Sequence, residues 1–255
     1  KKFNEHQIQY IVKQTGVNRR IIEFIDHHTC HAHYAYFAYI SGFKKCAVLT
    51  LDSQGDYLNQ TVWITKNDDK TLYKIASSKH CELARIYKLT TLILSMKPDE
   101  HEFKVMGLAP YAKNIYAEKV YENVFKDILK VKNCKVIHKN RPPNLYDYLK
   151  KKLEPYRFDN IAGGLQIFLE RITNELINQA SKKTRLNNFA LSGGVSMNVK
   201  NNKMISEMSC VKSLFVPPSG ADESLSIGAC YYLQKKKSKP LRNIYLGFNI
   251  SNEIN

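Results

Sequence analysis

The sequence predicts an α/β protein built on a mixed β-sheet, and three observations carry that expectation. Short β-branched runs separated by turn residues fill positions 47–77. From residue 83 to residue 234, helical apolar stripes alternate with short apolar strands. Asp52, Ser192-Gly193-Gly194 and Asp222 each stand just beyond a predicted strand, and open α/β sheets gather ligands at strand carboxyl ends.

In chain order, residues 21–25 (IIEFI) read as a short strand ending at Asp26, a residue suited to capping the next helix. That helix covers residues 27–40 and stops at Ser41-Gly42. Residues 47–51 (AVLTL), 61–65 (TVWIT) and 72–77 (LYKIAS) form a three-stranded meander, with turns at Ser53-Gln54-Gly55-Asp56 and Asn67-Asp68-Asp69. Helical signal returns over 83–96 and 115–131, whereas 132–156 is irregular and polar, with Pro142-Pro143 marking a loop. Over 158–183, Ile161, Leu165, Phe168, Leu169, Ile172, Leu176 and Ile177 make one apolar stripe. A strand at 188–191 enters Ser192-Gly193-Gly194, and a helix follows from about Ser196. A last strand at 213–216 runs into Pro217-Pro218-Ser219-Gly220-Ala221-Asp222 and a final helix over 223–234. Lys235 to Pro240 (KKKSKP) reads as the start of a linker.

The 255 residues suffice for one large domain or two small lobes, and 44% hydrophobic with 24% charged residues is ordinary for a globular protein. No apolar run approaches the roughly 18 residues needed to span a bilayer, and no signal peptide is visible, so no membrane partner is expected. Six cysteines without a C-x-x-C pair read as reduced thiols in a cytoplasmic protein. The formal charge of +16 is almost all lysine spread along the chain. With no RNP, zinc-finger or helix-turn-helix signature beside it, nucleic-acid binding is disfavoured.

The chemistry concentrates in Asp26-His27-His28-Thr29-Cys30-His31. On a helix, His27 and His31 project from one face at i, i+4, the geometry of a shared metal ion. Two histidines so placed are also common as surface or core residues, and Asp52 and Asp222 at comparable strand ends are what raise the metal reading. His28 and His33 lie off the shared face. The loop Asp52 to Asp56 reads either as a plain hairpin turn or as an anion- or metal-binding loop in which Gly55 lets backbone N–H groups approach. Ser192-Gly193-Gly194 is either a packing device or an anion site at a helix start. Glu102 and Lys104, before Gly107 and Pro110, sit either on a solvated helix end or in a cleft.

The segments HHTCHAH, LTLDSQGD, EHEFKVMGLAPYAK, LSGGVSMN and PPSGADESLSIGA occur in the order and spacing of one family. From about residue 20 to its end, the chain resembles the O-carbamoyltransferases of the nodulation-factor and antibiotic type. The resemblance implies an actin/hexokinase/Hsp70-like ATPase fold with its first lobe incomplete. Residues 1–45 would be the end of that lobe with the histidine motif, 46–236 a second lobe, and 237–255 the start of a linker to an absent YrdC-like module. It implies that the YrdC-like module makes carbamoyl-adenylate from carbamoyl phosphate and ATP. The actin-like part then passes the carbamoyl group to a hydroxyl of a sugar-like or natural-product acceptor. By motif position, His27, His31, Asp52 and Asp222 look like ligands of a divalent metal, iron ahead of zinc. Ser192, Gly193, Gly194, Asn198 and Gly55 look like the nucleotide cradle, and His28, Glu102 and Lys104 are the candidates for catalysis. Asp52-Ser53-Gln54-Gly55-Asp56 departs from the commoner pattern, which has Gly second and Glu last. Two other functions stay open: the related tRNA threonylcarbamoyladenosine-type modification, and a non-catalytic nucleotide- and metal-binding fragment.

Overall fold

The computed structural model describes residues 2–39, 42–66, 71–234, 239–241, 243, 245 and 247. In chain order it runs α1 (Lys2–Thr15), α2 (His27–Phe37), β1 (Ala47–Gly55), β2 (Leu58–Thr65), β3 (Leu72–Ser78), α3 (Leu83–Ile93), α4 (Glu102–Leu108) and α5 (Asn114–Val120). It continues through β4 (Leu129–Lys132), β5 (Lys135–His138), α6 (Leu145–Leu153), α7 (Phe158–Thr184), β6 (Asn188–Ser192), α8 (Val199–Ser206), β7 (Ser213–Phe215) and α9 (Leu225–Gln234). The predicted helix stop at Ser41, the turn at Asn67-Asp68-Asp69 and most of the predicted linker from 237 lie outside the described residues.

Five strands form one sheet in the order β3-β2-β1-β6-β7. The β3-β2-β1 pairs are antiparallel and the β1-β6-β7 pairs parallel, so the sheet is mixed, as a meander followed by alternating helices and strands predicts. The parallel pairing of β1 with β6 is possible because α3 to α7 supply the crossover between them.

The side-chain period of two divides β1 between two cores. Ala47, Leu49 and Leu51 pack with Phe168, Leu169 and Leu176 of α7, whose stripe is the one read from the sequence. Val48 and Ala190 face the other way, under Tyr34 and Phe37 of α2 and Tyr231 of α9. Both faces of the sheet are thus covered, which explains why β1 reads as a continuous apolar run. Helices α2 and α9 approach closely because Gly228 has no side chain; a Cβ there would lie 2.1 Å from the carbonyl oxygen of Cys30.

Three local expectations are corrected. Residues 21–25 form no strand: Ile21 ends a 3-10 turn (Arg19–Ile21) and is 74% exposed, and residues 22–26 carry no regular structure. A β-branched run raises strand propensity only where another strand pairs with it. The helical signal over 115–131 ends early, at a π-helical turn (Tyr121–Phe125), and residues 129–138 form the β4–β5 hairpin instead. Within the stretch read as irregular, Asn144 caps α6 through Asp147 N–H, and Leu145, Leu149 and Leu153 are buried at i, i+4, i+8.

Candidate metal centre and cavity

The site begins with an irregularity in β1. Leu51 pairs with Gln60 and Gly55 with Leu58, so Asp52, Ser53 and Gln54 stand opposite Asn59 alone. A bulge of this kind re-aims side chains, and here it presents Asp52 at the parallel end of the sheet. Asp56 and Tyr57 close the hairpin with φ of 48° and 67°, the left-handed pair a two-residue turn requires. The Asp56 carboxylate accepts the His27 backbone N–H at 2.7 Å, docking the hairpin tip on the start of α2. Asp26 caps the same helix, accepting from the Thr29 N–H at 2.9 Å and the Thr29 hydroxyl at 3.0 Å. Asp26 is therefore a helix cap rather than a residue at a strand end.

The two fixed ends bring four side chains together. Asp52 Oδ2 lies 3.1 Å from Nε2 of His27 and 3.1 Å from Nε2 of His31, and the two Nε2 atoms are 3.1 Å apart. Asp222 Oδ1, from the 3-10 turn (Asp222–Ser224) after β7, is 3.6 Å from His27 Nε2 and 3.3 Å from His31 Nε2. One ligand atom from each residue lies within 4.8 Å of all the others. Ligands held at about 2.0–2.1 Å around a tetrahedral ion sit about 3.3 Å from one another, so the two nitrogens and two oxygens fit such an ion.

The electrostatics suit a cation. Burial works against ionisation of Asp52, but hydrogen bonds from His27 and His31 and the Ser53 N–H hold its carboxyl well below the usual range. Asp222 moves the other way, raised by burial and by the neighbouring Asp52 charge. Burial depresses His27, yet Asp52, Asp222 and Asp56 together carry it above the ordinary imidazole value. Two carboxylates and two imidazoles crowded together are each relieved by a shared divalent ion.

A cavity of about 510 Å³ opens beside this cluster, with Asp52 and Asp222 in its lining. Tyr87, Phe103, Met106, Leu169, Val195 and Met197 give it an apolar wall, and Asp99, Glu102 and Glu223 add acids. Gly194 and Asn198 line it too.

The remaining sequence candidates divide. Gly55 contributes space for the His27 ring, since a Cβ there would meet His27 Cδ2 at 2.1 Å. Gly193, at φ 91°, donates its N–H to the Gly220 carbonyl at 2.8 Å and has Leu51 O where a Cβ would go. Asn198 spends its side chain on the fold, accepting from the Asn201 N–H that starts α8 and pairing with Gln166. His28 is fully buried against the sheet, its Nδ1 2.6 Å from the Thr50 hydroxyl, and burial lowers its basicity. It does not line the cavity. Glu102 does line it, and accepts the Asp99 N–H at 2.9 Å. Lys104 turns to His101 Nε2 at 3.0 Å instead. Sequence reasoning missed Tyr87, Asp99, Phe103, Met197 and Glu223 as cavity residues; the i, i+4 pair Asp99–Phe103 was the one available signal.

No helix among the described residues is long and apolar enough to cross a membrane. The fold is similar to that of full-length HypF in its phosphate- and nucleotide-bound form, at a TM-score of 0.51 and 14% identity over 87% of this chain and 45% of that one. In sequence, the chain is 30% identical to the uncharacterized protein MJ1058 of Methanocaldococcus jannaschii, covering 83% of this chain and 37% of that protein. It is 26% identical to nodulation protein NolNO of Sinorhizobium fredii, over 94% of this chain and 36% of the relative. For nodulation protein NolO of Bradyrhizobium diazoefficiens the identity is 25%, over 90% and 42%. The chain thus spans less than half the length of these relatives. The family described as "Carbamoyltransferase N-terminus" matches residues 1–231, which takes in α2, the bulge of β1, the end of β6 and Asp222. The chain belongs to the carbamoyltransferase N-terminus family.

Proposed function

We propose that this chain forms the metal- and nucleotide-binding part of an enzyme that transfers a carbamoyl group from carbamoyl-adenylate to a hydroxyl of a small acceptor. The observation that carries this reading is the convergence of His27, His31, Asp52 and Asp222 at the edge of a cavity in a chain of this family. Carbamoyl-adenylate synthesis from carbamoyl phosphate and ATP is assigned to a YrdC-like module. The sheet and its helices are taken as part of an actin/hexokinase/Hsp70-like ATPase fold, with residues 46–236 as one lobe and 1–45 as the end of another.

His27, His31, Asp52 and Asp222 would hold one divalent metal, iron ahead of zinc. Once bound, it supplies a Lewis acid for the carbamoyl carbonyl and for the charge that develops on its oxygen. The apolar wall of Tyr87, Phe103 and Met197 receives the nucleoside and excludes water from the labile mixed anhydride. Gly194 keeps the floor open beside Asp52, where even a methyl group would stand 3.3 Å from Oδ1, and so leaves room for the phosphate. Glu102, at the cavity wall, takes the proton of the acceptor hydroxyl as the hydroxyl oxygen attacks the carbamoyl carbon and AMP departs.

The test is a transfer assay. The chain is incubated with ATP, radiolabelled carbamoyl phosphate, a separately supplied YrdC-like protein and a panel of sugar hydroxyl acceptors, with and without iron(II). Metal-dependent label in an acceptor is the expected result. Label trapped as carbamoyl-adenylate, with none transferred to any acceptor at any metal concentration, contradicts the proposal.

A further inference from the structure

We propose that Ser192 is a positioning residue that fixes the tautomer of His31 and so aims its Nε2 lone pair at the metal position; the inference rests on the metal reading above. The Ser192 hydroxyl, at the end of β6, lies 3.2 Å from His31 Nδ1 and 3.0 Å from the Gly220 carbonyl oxygen. Ser192 is 1% exposed and His31 0% exposed, so bulk water does not compete for either contact.

The proton count decides the direction of these bonds. A carbonyl oxygen only accepts, and the Gly220 oxygen already takes the Gly193 N–H at 2.8 Å. The single Ser192 proton goes to the second lone pair of that oxygen. What Ser192 then offers His31 is a lone pair, so Nδ1 must carry a hydrogen; an unprotonated Nδ1 would set two lone pairs against each other at 3.2 Å. With Nδ1 committed to Ser192, Nε2 is the nitrogen left for the ion: it lies 3.1 Å from Asp52 Oδ2 and 3.3 Å from Asp222 Oδ1, and the hydrogen it shares with Asp52 is what an arriving ion replaces. A hydrogen bond to the non-ligating nitrogen also holds the ring plane.

The same hydroxyl does a second job. Gly220 lies two residues before Asp222, so the Ser192 bond to its carbonyl ties the end of β6 to the loop that brings Asp222 to the cluster. One side chain thus orients one ligand directly and restrains the approach of another. Ser192 does not line the cavity, which separates this role from the nucleotide contact its place beside Gly193 suggests.

The experiment combines nitrogen NMR with metal titration. In protein labelled with nitrogen-15 histidine, His31 is expected to show a protonated Nδ1 both metal-free and zinc-loaded. Zinc affinity, measured by competition with a chromophoric chelator, is expected to fall about 10–100-fold in Ser192→Ala. Ser196→Ala is the control, since it removes another buried hydroxyl of the same loop, one that bonds the Gly193 carbonyl and not His31; its zinc affinity should match wild type. An unprotonated His31 Nδ1 in the metal-free wild type overturns the proposal without any variant. So does a Ser192→Ala protein that binds zinc as tightly as wild type. Wild-type protein that binds no zinc overturns the metal reading and this proposal with it, an outcome distinct from the other two.

Discussion

Gly55 and His27 are in contact so close that any side chain at position 55 would enter the imidazole ring: a built Cβ falls 2.1 Å from Cδ2 and 2.2 Å from Cγ of His27. Gly55 pairs with Leu58 just before the left-handed Asp56-Tyr57 turn, and Asp56 in turn holds the His27 backbone. The hairpin therefore seats the histidine from both its backbone and its ring.

This contact makes Gly55→Ala a direct probe of the site. The methyl group must push His27 off the position 3.1 Å from Asp52, so metal affinity should fall by about 10–100-fold. Overpacking should cost about 1–3 kcal/mol of stability. Chelator competition and a urea melt measure the two effects. Unchanged metal affinity would mean that the ring has room to move without loss.

Away from the site, Glu82 pins the β4–β5 hairpin to the start of α3. Its carboxylate meets Arg141 in a two-point pair, His138 Nε2 at 3.0 Å and Arg85 at 3.1 Å. Burial alone would raise the Glu82 carboxyl, but the hydrogen bond and charge of Arg141, helped by its other partners, bring it below the ordinary value of 4.5. A lowered folded-state value means the unfolded chain binds the proton more readily. The stabilisation is therefore fully present above the unfolded carboxyl value and is lost as pH falls through the folded one. Glu82→Gln should cost about 2 kcal/mol near neutral pH, and the gap to wild type should close as acid is added below about pH 4. Denaturant melts across pH 3 to 7 check it; a gap independent of pH would assign the loss to packing alone.

Glu102 and Lys104 are neighbours in sequence with different surroundings. Glu102 lines the cavity and Lys104 turns to His101. Glu102→Gln should lower carbamoyl transfer by about 10²–10⁴-fold with metal content unchanged, whereas Lys104→Ala should alter the rate by less than about threefold. Transfer rates and elemental analysis of both variants decide; equal losses would remove Glu102 from the role of base.

How much of this was legible in the sequence depended on whether the signal was local. The i, i+4 spacing of His27 and His31 and the alternation of the meander were plain, because one helix or strand contains each. The mixed sheet followed from element order alone. What escaped detection depended on partners elsewhere. Residues 21–25 have strand-like composition but no strand among the described residues pairs with them, while in β4 only buried Leu129 and half-buried Val131 alternate with exposed Lys130 and Lys132, too short an alternation to outweigh the preceding helical pattern. Gly55 and Gly193 looked alike as anion-loop glycines; only the fold puts an imidazole beside one and the Leu51 and Gly220 carbonyls beside the other. His28 sits one residue from His27 yet points into the sheet, because one step along a helix turns the side chain by about 100°.

The central claim is that residues from three distant segments hold one metal ion, and metal content after anaerobic purification tests it most directly. Wild-type protein and Asp222→Ala, freed of loosely held ions and reconstituted side by side with iron(II) or zinc, are measured by elemental analysis. About one ion per chain in wild type, retained through desalting and lost in Asp222→Ala, is the expected result, since Asp222 alone reaches His27 and His31 from beyond β7. Equal metal in both proteins, or none in either, would contradict a site completed by Asp222.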